Sequence, residues 1–305
     1  PAVLHAHVGQ WQDTVLPHGG HAGDRRPGQR TVLPLAPEFV VPQDGQAKQD
    51  CELKAGTRWL QRWGAQLKAW RTTVLGDDLY CHQPFCEQVL AQGCAFIFVC
   101  QPGSHPLLYE WVADFERTGE VATRAKTRWN GTQRLTDTYR WLNDLPLRDG
   151  DDALSVGWCE LTTTDAAGKV LYRNAWVSSV PITSDNVVAI VAAGRSRWKI
   201  ENENNNTLKT KGYRFEHNYG HGKQHLANLL ASLILLAFLA HTLLDLYDQR
   251  YQHVRRQLSS RRTFFETLRS LTLYLPFDTW EHLFDSMIEA LQPAQPPPRR
   301  RAGKR

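Results

Sequence analysis

Carboxylates at the ends of apolar runs are the groups in this chain best placed to do chemistry. The β-branched run Arg71-Thr72-Thr73-Val74-Leu75-Gly76 stops abruptly at Asp77-Asp78. A strand whose C-terminal end delivers a carboxylate is what an α/β site requires, although aspartate after a strand is also ordinary turn chemistry. The second candidate is Arg197-Trp198-Lys199-Ile200-Glu201-Asn202-Glu203-Asn204-Asn205-Asn206-Thr207-Leu208-Lys209. On a helix, Arg197 and Glu201 are four residues apart and share a face, and Leu208 and Lys209 return near it. Asparagines at 202, 204, 205 and 206 are poor helix formers that a solvent-facing helix would gain nothing from. Amides turned toward a polar ligand such as a nucleic-acid backbone account for them better than a salt-bridged surface helix does.

The elements that must position these groups follow from periodicity. Residues 1–30 are rich in His, Gly and Pro and read as loop, and Thr31–Val41 alternates toward short or edge strands limited by its prolines. Apolar residues at Leu53, Leu60, Trp63 and Leu67 predict a helix within Gln46–Trp70. It leads into the strand that ends at Gly76, a helix over Gln83–Gln92, and a second strand over Ala95–Cys100. Parallel pairing of the two strands is expected. From about Leu107 to Val180 the texture is β-rich, with runs at Thr136–Leu142, Leu154–Leu161 and Val170–Val177 between Asp-Gly and Ala-Gly turns. Helical character returns near Asp185, breaks at Gly212–Gly222 and continues to Tyr251; amphipathic helices fill Ser260–Leu291, and a Pro- and Arg-rich tail closes the chain.

Composition sets the bounds. The chain has 305 residues, 42% of them hydrophobic, enough for a real core in one large domain or two ordinary ones. A net charge of +5 is modest, but Arg255, Arg256, Arg261, Arg262, Arg299, Arg300, Arg301, Lys304 and Arg305 crowd the C-terminal end, which favours a polyanionic partner. The six cysteines (Cys51, Cys81, Cys86, Cys94, Cys100, Cys159) have neither the paired spacing of a zinc site nor the density of a disulfide scaffold. Reduced thiols in a cytosolic protein fit them, and no secretory signal is visible. His217, His221 and His225 recur every four residues, but Gly220 and Gly222 favour a turn with ordinary polar histidines. His5, His7, His18 and His21 lie in loop-like sequence where they could chelate metal opportunistically. The apolar run Leu226–Leu246 approaches a membrane-spanning length, yet Asn228, Ser232, His241 and Asp245 favour a helix buried inside protein.

Arg-Trp-x-Ile-Glu followed by leucine and lysine two turns on resembles the C-terminal signature of transposases of the insertion-sequence-4 type, in the two-aspartate, one-glutamate (DDE) class. Gly212-Tyr213, Glu216-His217-Asn218 and Ala240-His241-Thr242 are similar to a branch with an Asn-rich signature, and Gly76-Asp77-Asp78-Leu79-Tyr80 with Gln83-Pro84 resembles the strand holding the second catalytic aspartate. The resemblance covers roughly residues 30–290. It implies an α/β, ribonuclease H-like mixed-sheet core interrupted by a β-rich insertion and followed by a C-terminal helical region. The implied division is a loop and first part of the core over 1–106, the insertion over 107–184, the rest of the core over 185–252, C-terminal helices over 253–292 and a disordered basic tail over 293–305.

The resemblance also implies the roles. Asp77 and Glu201 are expected to be catalytic metal ligands for Mg2+ or Mn2+, with Asp78 and Glu203 as second choices. Arg197, Lys199, Lys209 and Trp198 are expected to bind DNA, and Trp129 or Trp141 could also stack on bases beside a nick. Cys81 and Cys86 read as packed thiols, because magnesium disfavours sulfur. The family's tyrosine three residues before the arginine is Gly194 here, and the signature lysine falls one position late, at Lys209. The first catalytic aspartate has no counterpart beyond Asp13 and Asp24 in loop-like sequence, so it is expected before Pro1 in an N-terminally truncated chain. The partners expected are terminal inverted repeats and target DNA, bound by a homodimer in the bacterial cytoplasm and nucleoid, with no membrane. Against this stands a catalytically inactive fragment that only binds DNA or pairs with intact copies.

Overall fold

The computed structural model describes residues 32–40, 50–198, 205–220, 222, 224–258 and 260–291. The chain divides into two units, one of residues 1–205 with 221–232 and the other of 206–220 with 233–305.

In the first unit, α1 (Glu52–Ala69) turns Trp59, Leu60 and Leu67 inward at the expected helical spacing. Arg71 takes a left-handed backbone conformation (φ 52°) and redirects the chain into β1 (Thr73–Gly76), all four of whose residues are buried. A single 3-10 turn (Asp78–Tyr80) follows, then α2 (Gln83–Ala91), with proline in its first turn where no N–H donor is needed. Strand β2 (Ala95–Val99) pairs in parallel with β1, Thr73 opposite Ala95 and Gly76 opposite Phe98. This is the strand, helix, strand unit the periodicity predicts.

The β-rich stretch opens instead on a helix, α3 (Pro106–Thr118), closed by Gly119 in the left-handed region at φ 76°. An antiparallel meander follows: β3 (Ala122–Trp129), β4 (Arg134–Pro146), β5 (Ser155–Thr164) and β6 (Val170–Ser178). Because β6 pairs with β2, the meander extends the parallel pair into one six-stranded mixed sheet of order β1-β2-β6-β5-β4-β3. The fold is therefore α/β with a mixed sheet and a C-terminal helical region. Side-chain alternation along the strands makes two cores. One, containing Val74, Phe96, Phe98, Trp158 and Val177, lies under α1, α2 and α3; the other, containing Leu75, Ile97, Trp141, Leu161 and Trp176, lies under α4 (Val187–Ser196).

The expected edge strand at 31–41 does not form across 32–40. Pro34 and Pro37 remove ladder donors there, and the segment is held by side chains instead. Arg58 donates to Glu38 at 2.8 Å, to the Phe39 carbonyl at 3.0 Å and to both oxygens of Asp50 at 2.9 Å.

The second unit is helical, with α5 (Asn206–Thr210), the larger part of α6 (Leu226–Tyr247), α7 (Gln249–Gln257), α8 (Arg261–Tyr274) and α9 (Trp280–Leu291). Tyr251, Val254, Phe264, Leu283, Phe284 and Met287 form its core. Asp248 and Ser260 cap α7 and α8 by accepting the Tyr251 and Thr263 N–H groups at 2.7 and 3.1 Å. Helix α6 departs from the expected fully buried helix. Leu235, Phe238 and Thr242 are buried, but Leu233, Leu236 and Leu243 are exposed, and only 17% of its most apolar stretch is buried. Being apolar on every side, α6 has more such surface than one packed face can cover. By length and composition it is the described helix that could span a membrane.

Candidate functional site

Strand β1 ends in two adjacent carboxylates that go to opposite sides. Asp77 accepts the Leu79 N–H through Oδ1 at 3.1 Å and so caps the 3-10 turn. Alternation from Leu75 places it on the α4 side of the sheet. There the Arg197 guanidinium, at the C-terminal cap of α4, acts on it. Burial pushes the Asp77 carboxyl above its ordinary value, against the opposing pull of Arg197 and of the Leu79 N–H; Glu52 and Asp78 add to the rise. A carboxylate short of compensating charge in this way gains from a bound cation.

Asp78 turns the other way, toward the loop between β2 and α3. Its Oδ1 accepts the Gln101 N–H at 2.7 Å, its Oδ2 accepts the Ser104 hydroxyl, and Oδ1 stands 3.8 Å from His105 Nε2. These bonds tie the end of β1 to the end of β2. Of the two acids named by the sequence, Asp77 is the one on the Arg197 side, and Asp78 faces the loop between β2 and α3.

Helix α4 reaches this place because Val187, Ile190, Val191 and Ala193 pack on Leu75, Ile97 and Trp176. Gly194 is part of that fit: a Cβ there would lie 2.7 Å from Trp176 Cδ1 and Nε1. The tyrosine expected at this position therefore has no room above the sheet, and glycine follows from the tryptophan beneath it.

The remaining predicted residues are distributed unevenly. Glu201, Glu203 and Lys199 lie outside the described residues. Trp198, next to Arg197, is 49% exposed. Lys209 sits on α5 in the second unit, in an ion pair with Glu216 at 3.0 Å. Trp141 is buried in the core under α4 and has no face for a base, which corrects its expected stacking role; Trp129, at the end of β3, is 67% exposed. Among the three spaced histidines, His217 lies in a non-helical stretch against Tyr219, as the glycines suggest, and His221 lies outside the described residues.

Sequence reasoning missed a basic row. Arg124, Lys126 and Arg128 alternate along the edge strand β3, opposite Tyr139, Asp137 and Leu135 of β4, and so face the α4 side. Arg195 joins them from α4, its guanidinium 4.6 Å from the Tyr172 ring centroid. Arg128 is anchored by Asp137 at 2.6 Å, and Arg124 by the Ser184 carbonyl. The signal was present as cations at every second position of Arg124-Ala125-Lys126-Thr127-Arg128, a strand period carried by charge rather than by apolar residues.

A second cluster lies on the Asp78 side. Cys81, Cys100 and His105 are all buried, and their potential ligand atoms lie within 4.8 Å of one another. Cys86 is also buried, and burial pushes its thiol up to about 12. No family model matches the chain, and no curated protein matches it.

Proposed function

We propose that the chain is a DDE-class DNA transposase that cleaves and transfers strands of an insertion sequence. The observation that carries the reading is that the Arg197 guanidinium acts electrostatically on Asp77 against its burial. The two residues belong to separate motifs far apart in the chain, and α4 delivers one to the strand end that bears the other. The signature Arg-Trp-Lys-Ile-Glu begins at this point, and Glu201 follows four residues later. A glutamate brought to an aspartate at a strand end is the arrangement the resemblance to ribonuclease H-like transposases implies.

Asp77 and Glu201 would hold magnesium or manganese, because carboxylate oxygens are the donors these hard ions prefer. Bound there, the metal would supply charge neutralisation at the attacking and leaving oxygens of an in-line displacement at phosphorus. Arg197, Arg195 and the β3 cations would hold phosphates by charge, with Lys199 and Lys209 contributing from the signature. Trp198 and Trp129 offer exposed rings to unpaired bases, each stack worth about 1–3 kcal/mol. A homodimer bridging two element ends, acting in the cytoplasm and nucleoid, completes the reading.

The test is magnesium-dependent cleavage of DNA carrying the element's terminal repeats, with anisotropy measuring binding in parallel. Asp77→Ala and Glu201→Ala are expected to abolish cleavage while keeping salt-sensitive binding. Undiminished cleavage by either variant removes that residue from the metal platform. Binding without cleavage by the unmodified chain would favour an inactive DNA-binding fragment.

A further inference from the structure

We propose that Cys81, Cys100 and His105 form a zinc site at the C-terminal end of the parallel strand pair, with the Asp78 carboxylate as the fourth group in reach. Two thiols and an imidazole are a donor set that zinc prefers and magnesium does not. The site is independent of the DNA reading and would exist whether or not the chain cleaves DNA.

Three structural observations support it. All three side chains are withdrawn from solvent: Cys81 is 0%, Cys100 1% and His105 6% exposed. Their potential ligand atoms lie within 4.8 Å of one another, so an ion that draws donors to edges of about 3.5 Å needs only roughly 1 Å of inward movement. The third observation concerns His105 Nε2, which is buried and has no hydrogen-bond partner. The ring also interacts with the Leu147 backbone. With Nε2 unpartnered, that contact belongs to Nδ1. A zinc-ligating histidine is normally held this way, one nitrogen fixed by a backbone carbonyl and the lone pair of the other presented to the metal. A buried nitrogen without a partner is otherwise destabilising, so its retention here points to an occupant.

Binding exchanges the two thiol protons, released to solvent, for two zinc–sulfur bonds, while His105 Nε2 donates its lone pair without losing a proton. Asp78 Oδ1, 3.8 Å from Nε2, can close the tetrahedron while still accepting the Gln101 N–H. The ligands come from the segment after β1, the residue after β2 and the residue before α3, so zinc would pin together the loops that present Asp77.

Cobalt(II) titration of the chelator-stripped full chain tests the proposal directly. The expected result is a thiolate-to-cobalt charge-transfer band with the visible bands of a tetrahedral ion, reversed by one equivalent of zinc. His105→Gln keeps both thiols and is expected to weaken zinc retention roughly a hundredfold or more, beyond the ~10–100-fold typical of an outer-shell change. Cys100→Ser should abolish the charge-transfer band, and Cys86→Ser should leave it intact. Should Cys100→Ser fail to fold, the unmodified chain's spectrum and His105→Gln still decide the matter. Cobalt bound without thiolate bands, as the N-terminal histidines would bind it, overturns the site. So do metal retention unchanged in His105→Gln and a Cys81–Cys100 disulfide found in protein purified under reducing-buffer exchange.

Discussion

Acid should loosen the second unit through one buried imidazole. His241 Nδ1 is 2.9 Å from the Tyr213 hydroxyl, and Arg261 donates to that hydroxyl at 3.2 Å. Arginine has only donors, so the Tyr213 oxygen accepts from Arg261 and its proton goes to His241 Nδ1. The ring is therefore neutral with its own proton on Nε2, and burial, reinforced by Arg261 and Arg255, lowers its pKa from 6.5 to about 4. The unfolded chain takes up this proton first as pH falls, so stability is full above the unfolded value and declines between 6.5 and about 4. The complete loss corresponds to about 3 kcal/mol, of which about 2 kcal/mol has gone by pH 5. Partial solvent access to the ring trims this to about 1–2 kcal/mol at pH 5. His241→Asn keeps an acceptor for Tyr213 and cannot be protonated. Hydrogen exchange over α7 and α8 should therefore show about 5–30-fold more loss of protection from pH 7 to pH 5 in the unmodified chain than in the variant. Equal loss in the two proteins would refute the assigned network, because every other titrating group is common to both.

Three further substitutions or treatments follow from the first unit. Gly194→Ala should destabilise it by about 1–3 kcal/mol in urea unfolding, since its new carbon would have to displace the Trp176 ring from 2.7 Å; an unchanged midpoint would show that α4 can lift without cost. Burial resists ionisation of Asp137, yet the hydrogen bonds from Arg128 and Thr163 hold its carboxyl below the ordinary range. Their stabilisation is present above the unfolded value and is lost as pH falls through the folded one. Thr163→Val removes a 2.6 Å bond and should cost about 1–3 kcal/mol at pH 7 and less in acid, measured by thermal melting across pH. In native alkylation followed by mass spectrometry, Cys51, the exposed thiol, should react first, with Cys86, Cys94 and Cys159 labelled only after unfolding; early modification of Cys86 would contradict its burial.

What the sequence disclosed tracks how strongly each element imposes its own period. The unit from α1 to β2 was legible because Leu53, Leu60, Trp63 and Leu67 repeat at helical spacing and both strands are short, largely apolar runs. Helix α3 carries helical spacing in Leu108, Trp111, Val112 and Phe115, but it is short, buries only Leu108 and Val112, and runs straight into strand-rich sequence that obscures it. Strand β3 escaped for the opposite reason: as an edge strand it is exposed almost throughout, so burial leaves no apolar trace and its alternation is carried by cations. Asp77 could be named from the strand end that precedes it, whereas the Cys81, Cys100 and His105 cluster had no sequence signal. Its members are irregularly spaced and meet only because β1 and β2 lie side by side in parallel.

The same parallel pairing explains how two neighbouring carboxylates acquire different tasks. Asp77, still extended, follows the strand alternation to the α4 side, while the 3-10 turn that begins at Asp78 sends that carboxylate to the α3 side. On the α4 side Asp77 feels the Arg197 guanidinium, with Arg195 and the β3 cations on the same face. On the α3 side Asp78 meets an amide, a hydroxyl, an imidazole and two thiols. Softness of the donors separates the two environments more sharply than distance does: magnesium would find its ligands on the first side and zinc on the second. A deletion in Asp77-Asp78 is therefore more damaging than either single substitution, because it disturbs both surroundings together.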